Sequence, residues 1–223
     1  MYLRCCGVEI AHNIKKYLPK GGIFIDVGAG IGYFSAIASS VVGVSGQVHC
    51  FEPNSVNAGA IQKMVKNKLQ SNIVLNSYAL GADECDHNYY IQRLGRSSVN
   101  SMVNGAIERV DEVIKVRTHR LDAYLSENEI SAVSLIKIDV EGFEYYVLKG
   151  LSRYFERTTC KPPIICEIVI LVYKNNDPSL ADLSSYMASY GYHAYSILNP
   201  RIKVDMRLLR ENTDILFIAN NKT

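Results

Sequence analysis

The chain has 223 residues and a formal net charge of +2 at pH 7, with 48% hydrophobic and 21% charged residues. This composition is typical of a globular protein with a buried core, and so small a net charge does not favour a nucleic acid or an anionic membrane as partner. The most apolar later stretch, IICEIVILVY, has only ten residues and includes Glu167, so the sequence predicts no membrane-spanning helix.

The first half of the chain alternates strand and helix patterns. GGIFIDVGAG predicts a buried strand at residues 23–27 that enters a glycine turn, and a helix follows at 31–42. GQVHCFEPN predicts a second strand at 47–51, before a helix that begins after the N-cap candidate Ser55 and ends at about Leu69. NIVLNSYAL predicts a third strand.

The middle of the chain predicts two further strands, HNYYIQ and VIKVRTH, on either side of RLGRSSVNSMVNG. The Gly, Ser and Asn content of that intervening segment argues against regular structure. LDAYLSEN predicts a short helix and VSLIKID a buried strand, followed by a helix with Phe143, Val147, Leu148 and Leu151 on one side. PPIICEIVI predicts another strand, and residues 180–190 a helix.

The C-terminal part, with HAYSIL and TDILFIAN, predicts two successive strands and no helix between them, which indicates an antiparallel hairpin. The whole pattern predicts an α/β fold with a Rossmann-like, doubly wound, mostly parallel sheet of seven strands. Ligands of such sheets bind beyond the carboxyl ends of the strands, where the strand order reverses. We therefore expect the glycine turn and the strand that ends at Asp139 to flank the site.

No internal repeat or low-complexity linker interrupts the sequence, so we expect one domain at residues 1–223, with a helical lead-in at 1–21 and the core at 22–223. The first residues, MYLRCCGVEIAHNIKKYL, lack the apolar core of a signal peptide. Six cysteines, at positions 5, 6, 50, 85, 160 and 166, form no CxxC pair and have no histidine at the spacing typical of zinc sites. We therefore expect buried free thiols, no metal centre and a cytoplasmic location.

The glycine turn DVGAGIGY places Gly28, Gly30 and Gly32 between a strand and a helix, where a glycine backbone turns tightly and aims its amides at a negative group. A dinucleotide site of the G-x-G-x-x-G/A type needs a small residue where Tyr33 stands, and Asp26 adds a charge where that pattern is apolar. The turn therefore favours a ligand that carries both a carboxylate and a cationic amine over NAD.

Glu52 ends the second strand, where a carboxylate can accept hydrogen bonds from both hydroxyls of a ribose. The alternative is that Asp26 and Glu52 only cap the ends of their strands.

Three acids follow the buried strand in IKIDVEGFE. Glu144 is explained by the first turn of a helix, where a carboxylate gains about 0.3–1 kcal/mol from the helix dipole. Gly142 leaves the backbone free to aim Glu141 at the site, so Glu141 is either a substrate contact or a second helix-start acid. Glu167 interrupts an apolar strand and is either part of the active-site wall or half of an ion pair. Oxygen ligation of a divalent metal by Asp139, Glu141 and Glu167 is an alternative that we do not adopt.

Four segments, FIDVGAGIGYFSAIAS, VHCFEPN, SYALG and LIKIDVEGFEYYVLKG, resemble the FkbM-type methyltransferases, a branch of the class I S-adenosylmethionine-dependent enzymes, over about residues 22–170. The resemblance implies S-adenosylmethionine as cofactor and Asp139 beside the transferring methyl group. It also implies three groups of cofactor-binding residues: Asp26, Gly28, Ala29, Gly30, Gly32 and Tyr33 at the methionine part, Glu52, Pro53 and Asn54 at the ribose, and Ala79 and Leu80 at the adenine. Gly30, where the family often has Asn, and Arg120 before LD, where a small hydroxyl residue is common, depart from the family pattern.

The resemblance further implies O-methylation of hydroxyls on sugars, glycans and polyketide-type products. An acidic cluster beside the methyl group suits an alcohol acceptor, whose proton must leave. We therefore expect an O-methyltransferase with Asp139, Glu141 and Glu167 as catalytic residues and a small-molecule or glycan hydroxyl as acceptor, without a nucleic-acid or membrane partner. The alternatives are an NAD-dependent oxidoreductase and a catalytically silent cofactor-binding module of a larger, multidomain glycan-modifying protein.

Overall fold

The computed structural model describes residues 7–66, 71–94, 97–175 and 178–220. In chain order its strands are β1 (Ile23–Val27), β2 (Gln47–Phe51), β3 (Ile73–Asn76), β4 (Ala79–Leu80), β5 (Asp86–Leu94), β6 (Ser97–Ser101), β7 (Glu112–His119), β8 (Leu135–Ile138), β9 (Ile164–Ile168), β10 (Tyr192–Ser196) and β11 (Thr213–Ala219). Its helices are α1 (Gly7–Tyr17), α2 (Tyr33–Val42), α3 (Ser55–Lys66), α4 (Leu121–Glu127), α5 (Glu144–Lys149), α6 (Ser152–Arg157), α7 (Ile170–Asn175) and α8 (Leu180–Ser189). A short 3-10 helix spans Met206–Leu208.

Within the described residues, seven strands form the main sheet in the order β10-β11-β9-β8-β1-β2-β3. The neighbours from β9 to β3 pair in parallel, whereas β11 pairs antiparallel with both β9 and β10. The predicted mostly parallel sheet with an antiparallel C-terminal hairpin is therefore confirmed. The strand order reverses between β1 and β8, so the glycine turn after β1 and Asp139 after β8 lie on either side of the reversal.

Apolar clusters cover both faces of the main sheet, because successive side chains of a strand point to opposite faces. Phe24 packs with Ile14 of α1 and Ala38 of α2 on one face. Its neighbour Ile25 packs with Val147 of α5 and Leu183 of α8 on the other. The two buried faces are the physical basis of the doubly wound arrangement.

A second sheet, in the order β4-β7-β5-β6, stands beside the main one. The predicted third strand is divided, since β3 belongs to the main sheet and β4 to the second. The prediction of irregular structure for RLGRSSVNSMVNG was wrong in part, because Ser97–Ser101 pairs antiparallel with β5, whereas residues 102–105 form bends and turns. Pairing with a neighbouring strand outweighs the weak local preferences of Ser and Asn.

The helical predictions needed smaller corrections. The helix after IDVEG is divided into α5 and α6, and α7 follows β9 where no helix was predicted. The predicted end of α3 near Leu69 lies outside the described residues. Among the described residues, no helix has both the length and the apolar composition needed to cross a membrane.

The described cysteines are free thiols. Cys50 and Cys166 are buried as predicted, whereas Cys160 is exposed and Cys85 is half-buried, which corrects the expectation of uniformly buried thiols. Cys5 and Cys6 lie outside the described residues.

Candidate active site

The glycine turn packs directly against the backbone of the strand-end acid. Gly28 has φ of 75°, a left-handed conformation that favours glycine. A Cβ atom added to Gly28 would lie 1.8 Å from the carbonyl oxygen of Asp139. The amides of Gly28 and Ala29 both donate to the carbonyl of Phe51, at 3.0 and 3.1 Å. The turn is thus fixed between the ends of β2 and β8.

A cavity opens at this point between the main sheet and the second sheet. It brings together eight of the residues predicted for the site: Gly28, Gly30, Glu52, Pro53, Ala79, Leu80, Asp139 and Glu141. Tyr89 and Asn100 from the second sheet and Met102, which follows β6, also line it. These three were missed by sequence reasoning, because the segment that carries Asn100 and Met102 has the composition of a loop.

Glu52 joins the glycine turn to the start of α3. It is 3% exposed, and its two carboxylate oxygens accept hydrogen bonds from the amides of Gly30 at 2.8 Å and Asn54 at 2.9 Å. Burial raises the pKa of Glu52 to about 7, although the two amides oppose that rise. Its carboxyl group therefore titrates near neutral pH at the cavity wall.

Asn54, rather than Ser55, is the N-cap of α3. Its Oδ1 accepts hydrogen bonds from the amides of Val56 at 2.9 Å and Asn57 at 3.2 Å. Ser55 is the first residue of the helix. Asn54 Oδ1 therefore caps the helix, which corrects the prediction of Ser55 as the N-cap. The cofactor contact predicted for Asn54 stays a prediction.

Besides Asn54, five predicted residues are not among those that line the cavity: Asp26, Ala29, Gly32, Tyr33 and Glu167. Ala29 is buried and held through its backbone, and Gly32, with φ of 88°, packs against Ile61. Tyr33 is 57% exposed and begins α2. Asp26 is fully buried beneath α2, where Ser35 Oγ donates to its Oδ2 at 2.6 Å. The structure thus gives Asp26 an internal role instead of a place at the cavity wall.

Lys137 is a buried residue next to Asp139 that sequence reasoning also missed. Strand alternation puts Asp26, Lys137 and Asp139 on the same face of the sheet, and Lys137 is directly opposite Asp26 in the β1–β8 register. Lys137 Nζ donates to Asp139 Oδ2 at 3.0 Å and lies 3.7 Å from Asp26 Oδ1. The available signal was a lysine in the middle of the apolar strand LIKI.

The side chain of Lys137 is 2% exposed, so its charge depends on these carboxylates. Burial alone lowers the pKa of Lys137, but Asp139 and Asp26 outweigh burial and raise the pKa above its ordinary value. Burial raises the pKa of Asp26, and Lys137 offsets part of that rise. The site therefore contains a buried ammonium ion directly beneath the carboxylate of Asp139.

Asp139, Glu141 and Glu167 bring one carboxylate oxygen each to within 4.8 Å of the others. Burial, followed by the charges of Asp139 and Glu141, raises the pKa of Glu167 far above its ordinary value. Burial and the neighbouring acids therefore favour the protonated form of Glu167. Because Lys137 already supplies a positive charge at this cluster, the arrangement itself gives no reason to add a metal ion.

The backbone after Asp139 holds Glu141 in a strained conformation. Glu141 has φ of 51°, which is uncommon for a residue other than glycine. Ser101 Oγ donates to the carbonyl of Glu141 at 2.7 Å, which fixes the turn to β6 of the second sheet. Such outliers concentrate at functional sites, and this one lies at the cavity wall.

Glu144 supports that turn from inside. It begins α5, as predicted, but it is 0% exposed, so the explanation by the helix dipole alone was incomplete. Its Oε1 accepts from the amide of Gly142 at 2.8 Å, and Tyr173 donates to its Oε2 at 3.1 Å. Burial raises the pKa of Glu144 to about 7. Glu144 therefore helps to position Glu141.

A family model described as the methyltransferase FkbM domain matches residues 26–194. The chain belongs to this FkbM methyltransferase family. The match confirms the resemblance inferred from the segments around Gly28 and Asp139, and with it S-adenosylmethionine as the cofactor of the FkbM chain. A comparison with curated proteins by sequence gives no match.

Several solved structures share the fold of this chain at low sequence identity. A methyltransferase FkbM from Methylobacillus flagellatus is 19% identical over 89% of this chain and 44% of that chain, with a TM-score of 0.55. The chain described here thus spans less than half the length of that M. flagellatus protein. A putative rRNA methylase from Clostridium thermocellum is 11% identical, with 97% and 96% coverage and a TM-score of 0.53. Fibrillarin from Aeropyrum pernix, in complex with natively bound S-adenosyl-L-methionine, is 12% identical over 93% of this chain and 73% of that chain, with a TM-score of 0.53.

Proposed function

We propose that the chain is an S-adenosylmethionine-dependent O-methyltransferase that methylates an alcohol hydroxyl of a sugar or glycan. The observation that carries the proposal is the position of Asp139. Its carboxylate lies at the wall of the cavity that also includes Gly28 and Glu52, and it is paired with the buried ammonium of Lys137.

The cofactor would be held by residues that meet in this cavity. The amides of Gly28, Ala29 and Gly30 are bonded within the protein, so the glycine turn contributes a backbone that the methionine part can approach closely. Glu52 suits the ribose hydroxyls, and the short strand β4, with Ala79 and Leu80, offers an apolar surface to the adenine. Bound in this way, the cofactor supplies an electrophilic methyl group on a sulfonium. The fibrillarin structure with bound S-adenosyl-L-methionine supports the assignment by its shared fold alone.

Asp139 is our candidate for the base. The bound cofactor would supply the methyl group and retain the electrons of the carbon–sulfur bond as its sulfide product, and Asp139 would accept the proton of the acceptor hydroxyl. The ammonium of Lys137 favours the charged form of the Asp139 carboxylate, whereas burial raises the pKa of Glu167 and favours its protonated form. A positioned base contributes about 10²–10⁴-fold to such a step, and alignment of the reacting groups contributes more.

Glu141 and Asn100 are candidates for acceptor contacts. Both line the cavity that includes Asp139 and offer hydrogen-bonding groups to a hydroxyl-rich molecule. This polar wall supports a sugar over an apolar alcohol as acceptor. The net charge of +2 supports the absence of a nucleic-acid partner. A cytoplasmic location, a single domain at residues 1–223 and membership in a larger multidomain protein stay predictions.

The test is methyl transfer from labelled S-adenosylmethionine to a panel of monosaccharides, glycans, simple alcohols and RNA. We expect label in one or more sugars or glycans, and at least about tenfold less transfer by the Asp139→Asn variant. Asp86→Asn is the matched control, because Asp86 is an exposed carboxylate on β5 that pairs with Arg117. Transfer to RNA alone, or equal transfer by both variants, would contradict the proposal. Calorimetric titration with S-adenosylhomocysteine and with NAD tests the oxidoreductase alternative, which predicts binding of NAD. Binding of S-adenosylhomocysteine without methyl transfer to any acceptor would instead indicate a catalytically silent module.

A further inference from the structure

Three potential metal ligands converge outside the active site, in the segment DECDH. Cys85 Sγ lies 3.0 Å from His87 Nε2 and 3.4 Å from Asp83 Oδ1, and the latter two atoms are 3.9 Å apart. The residues are spaced two apart, so they approach from one side of the chain as it enters β5. This spacing differs from the CxxC pattern, which is why the sequence analysis predicted no metal centre.

The backbone of this segment is fixed by contacts that do not involve the three side chains. Thr118, fully buried, donates through Oγ1 to the carbonyls of Asp83 at 2.8 Å and Cys85 at 3.1 Å. The guanidinium of Arg120 donates to the carbonyl of Ala82. The three ligand groups therefore start from a backbone that is already ordered, which lowers the entropic cost of holding an ion.

We propose that Asp83, Cys85 and His87 form a binding site for a divalent transition-metal ion, of which Zn²⁺ is the reference case. Zinc in a tetrahedral site binds sulfur at about 2.3 Å and nitrogen or oxygen at about 2.0–2.2 Å, so its donor atoms lie about 3.3–3.6 Å from one another. Of the three distances in the structure, 3.4 Å lies inside that range, and 3.0 and 3.9 Å lie within about 0.3 Å of its limits. A thiolate and an imidazole also discriminate against Mg²⁺ and Ca²⁺, which prefer oxygen ligands.

The site borders a second cavity, next to the Glu141 turn. Asp83 and His87 line this cavity together with Gly142, Phe143 and Tyr146. The ring of His87 contacts Phe143 edge to face, with centroids 5.3 Å apart, so its orientation is fixed by packing. Three protein ligands leave a fourth tetrahedral position for water or another small ligand. Coordination requires the thiolate, so the Cys85 proton leaves to the solvent when the ion binds.

The experiment is titration of the metal-free protein with Zn²⁺ against a chromogenic chelator, and with Co²⁺ monitored by the absorption of a cobalt–thiolate bond. We expect one ion per chain at this site, with the cobalt–thiolate band present. Cys85→Ser should lose that band, and Cys85→Ser and His87→Ala should each weaken Zn²⁺ binding at least about tenfold. Cys160→Ser, which removes an exposed thiol elsewhere, should leave both signals unchanged.

Two results would overturn the proposal. One is wild-type Zn²⁺ affinity in both Cys85→Ser and His87→Ala. The other is loss of the cobalt–thiolate band in a Cys5→Ser/Cys6→Ser variant but not in Cys85→Ser, which would assign the ion to the N-terminal thiols. Circular dichroism and thermal unfolding of each variant show whether it is folded. If Cys85→Ser is misfolded, His87→Ala carries the test, because His87 is a partly exposed residue on β5.

Discussion

Replacing Lys137 with methionine tests the electrostatic organisation of the site. Lys137→Met keeps a side chain of similar length but leaves the carboxylates of Asp26 and Asp139 without the ammonium that lies 3.7 and 3.0 Å from them. Removing one member of a buried ion pair costs about 3–5 kcal/mol, because the remaining charge stays desolvated. Since the Lys137 and Asp26 side chains are 2% and 0% exposed, solvent screens this pair very little. We expect the free energy of unfolding to fall by about that amount at pH 7 in urea denaturation.

The pH dependence of the loss gives a second, independent test. Burial raises the pKa of Asp26 above 3.8, and without Lys137 that rise becomes larger. An acid whose folded-state pKa is raised stabilises the fold below its unfolded pKa, and this contribution is lost as pH rises through the folded pKa. The deficit of Lys137→Met should therefore shrink as pH falls from 7 towards 4.

The control for this test is Lys115→Met, which removes an exposed lysine from β7. Adding Asp26→Asn to Lys137→Met should recover part of the lost stability, because the variant then buries one carboxylate fewer. Equal stability of Lys137→Met and Lys115→Met at pH 7, or a deficit that does not change with pH, would refute the reasoning.

Three further outcomes are expected. Gly28→Ala should lower both stability and affinity for S-adenosylhomocysteine in calorimetry, because its Cβ would meet the Asp139 carbonyl at 1.8 Å; an unchanged affinity would contradict the packing of the turn. Affinity for S-adenosylhomocysteine should rise from pH 6 to pH 8 as Glu52, with a pKa of about 7, becomes the better acceptor for the ribose hydroxyls, while Glu52→Gln should show a flatter profile. Tyr173→Phe should cost about 1–3 kcal/mol in denaturant unfolding, because buried Glu144 loses a donor; Tyr195→Phe, on β10, is the control and should be neutral.

Sequence patterns predicted the parts of the fold that depend on local periodicity. The apolar strands before Gly28 and Asp139 and the final pair of strands each carry a pattern that local sequence can express, and the sheet has them where expected. The strand Ser97–Ser101 could not be predicted in this way, because it is stabilised by pairing with β5 and not by its own composition.

The site shows the same division. The glycines and the acids at the strand ends could be recognised from the sequence, because a run of glycines or a charge directly after an apolar strand is an unusual local pattern. The internal contacts of Asp26 and Asn54 depend on the direction in which each side chain points, so the sequence did not show that Asp26 pairs with Lys137 or that Asn54 caps α3. Lys137 was missed because its ion pair is with Asp26, a residue more than one hundred positions away in sequence that the β1–β8 pairing places opposite it.

The most direct test of the account is a crystal structure of the chain with S-adenosylhomocysteine. We predict that the nucleoside lies in the cavity between Gly28 and Leu80, with its ribose hydroxyls at Glu52 and its sulfur facing the carboxylate of Asp139. A nucleoside bound elsewhere, or one whose sulfur faces away from Asp139, would contradict the account.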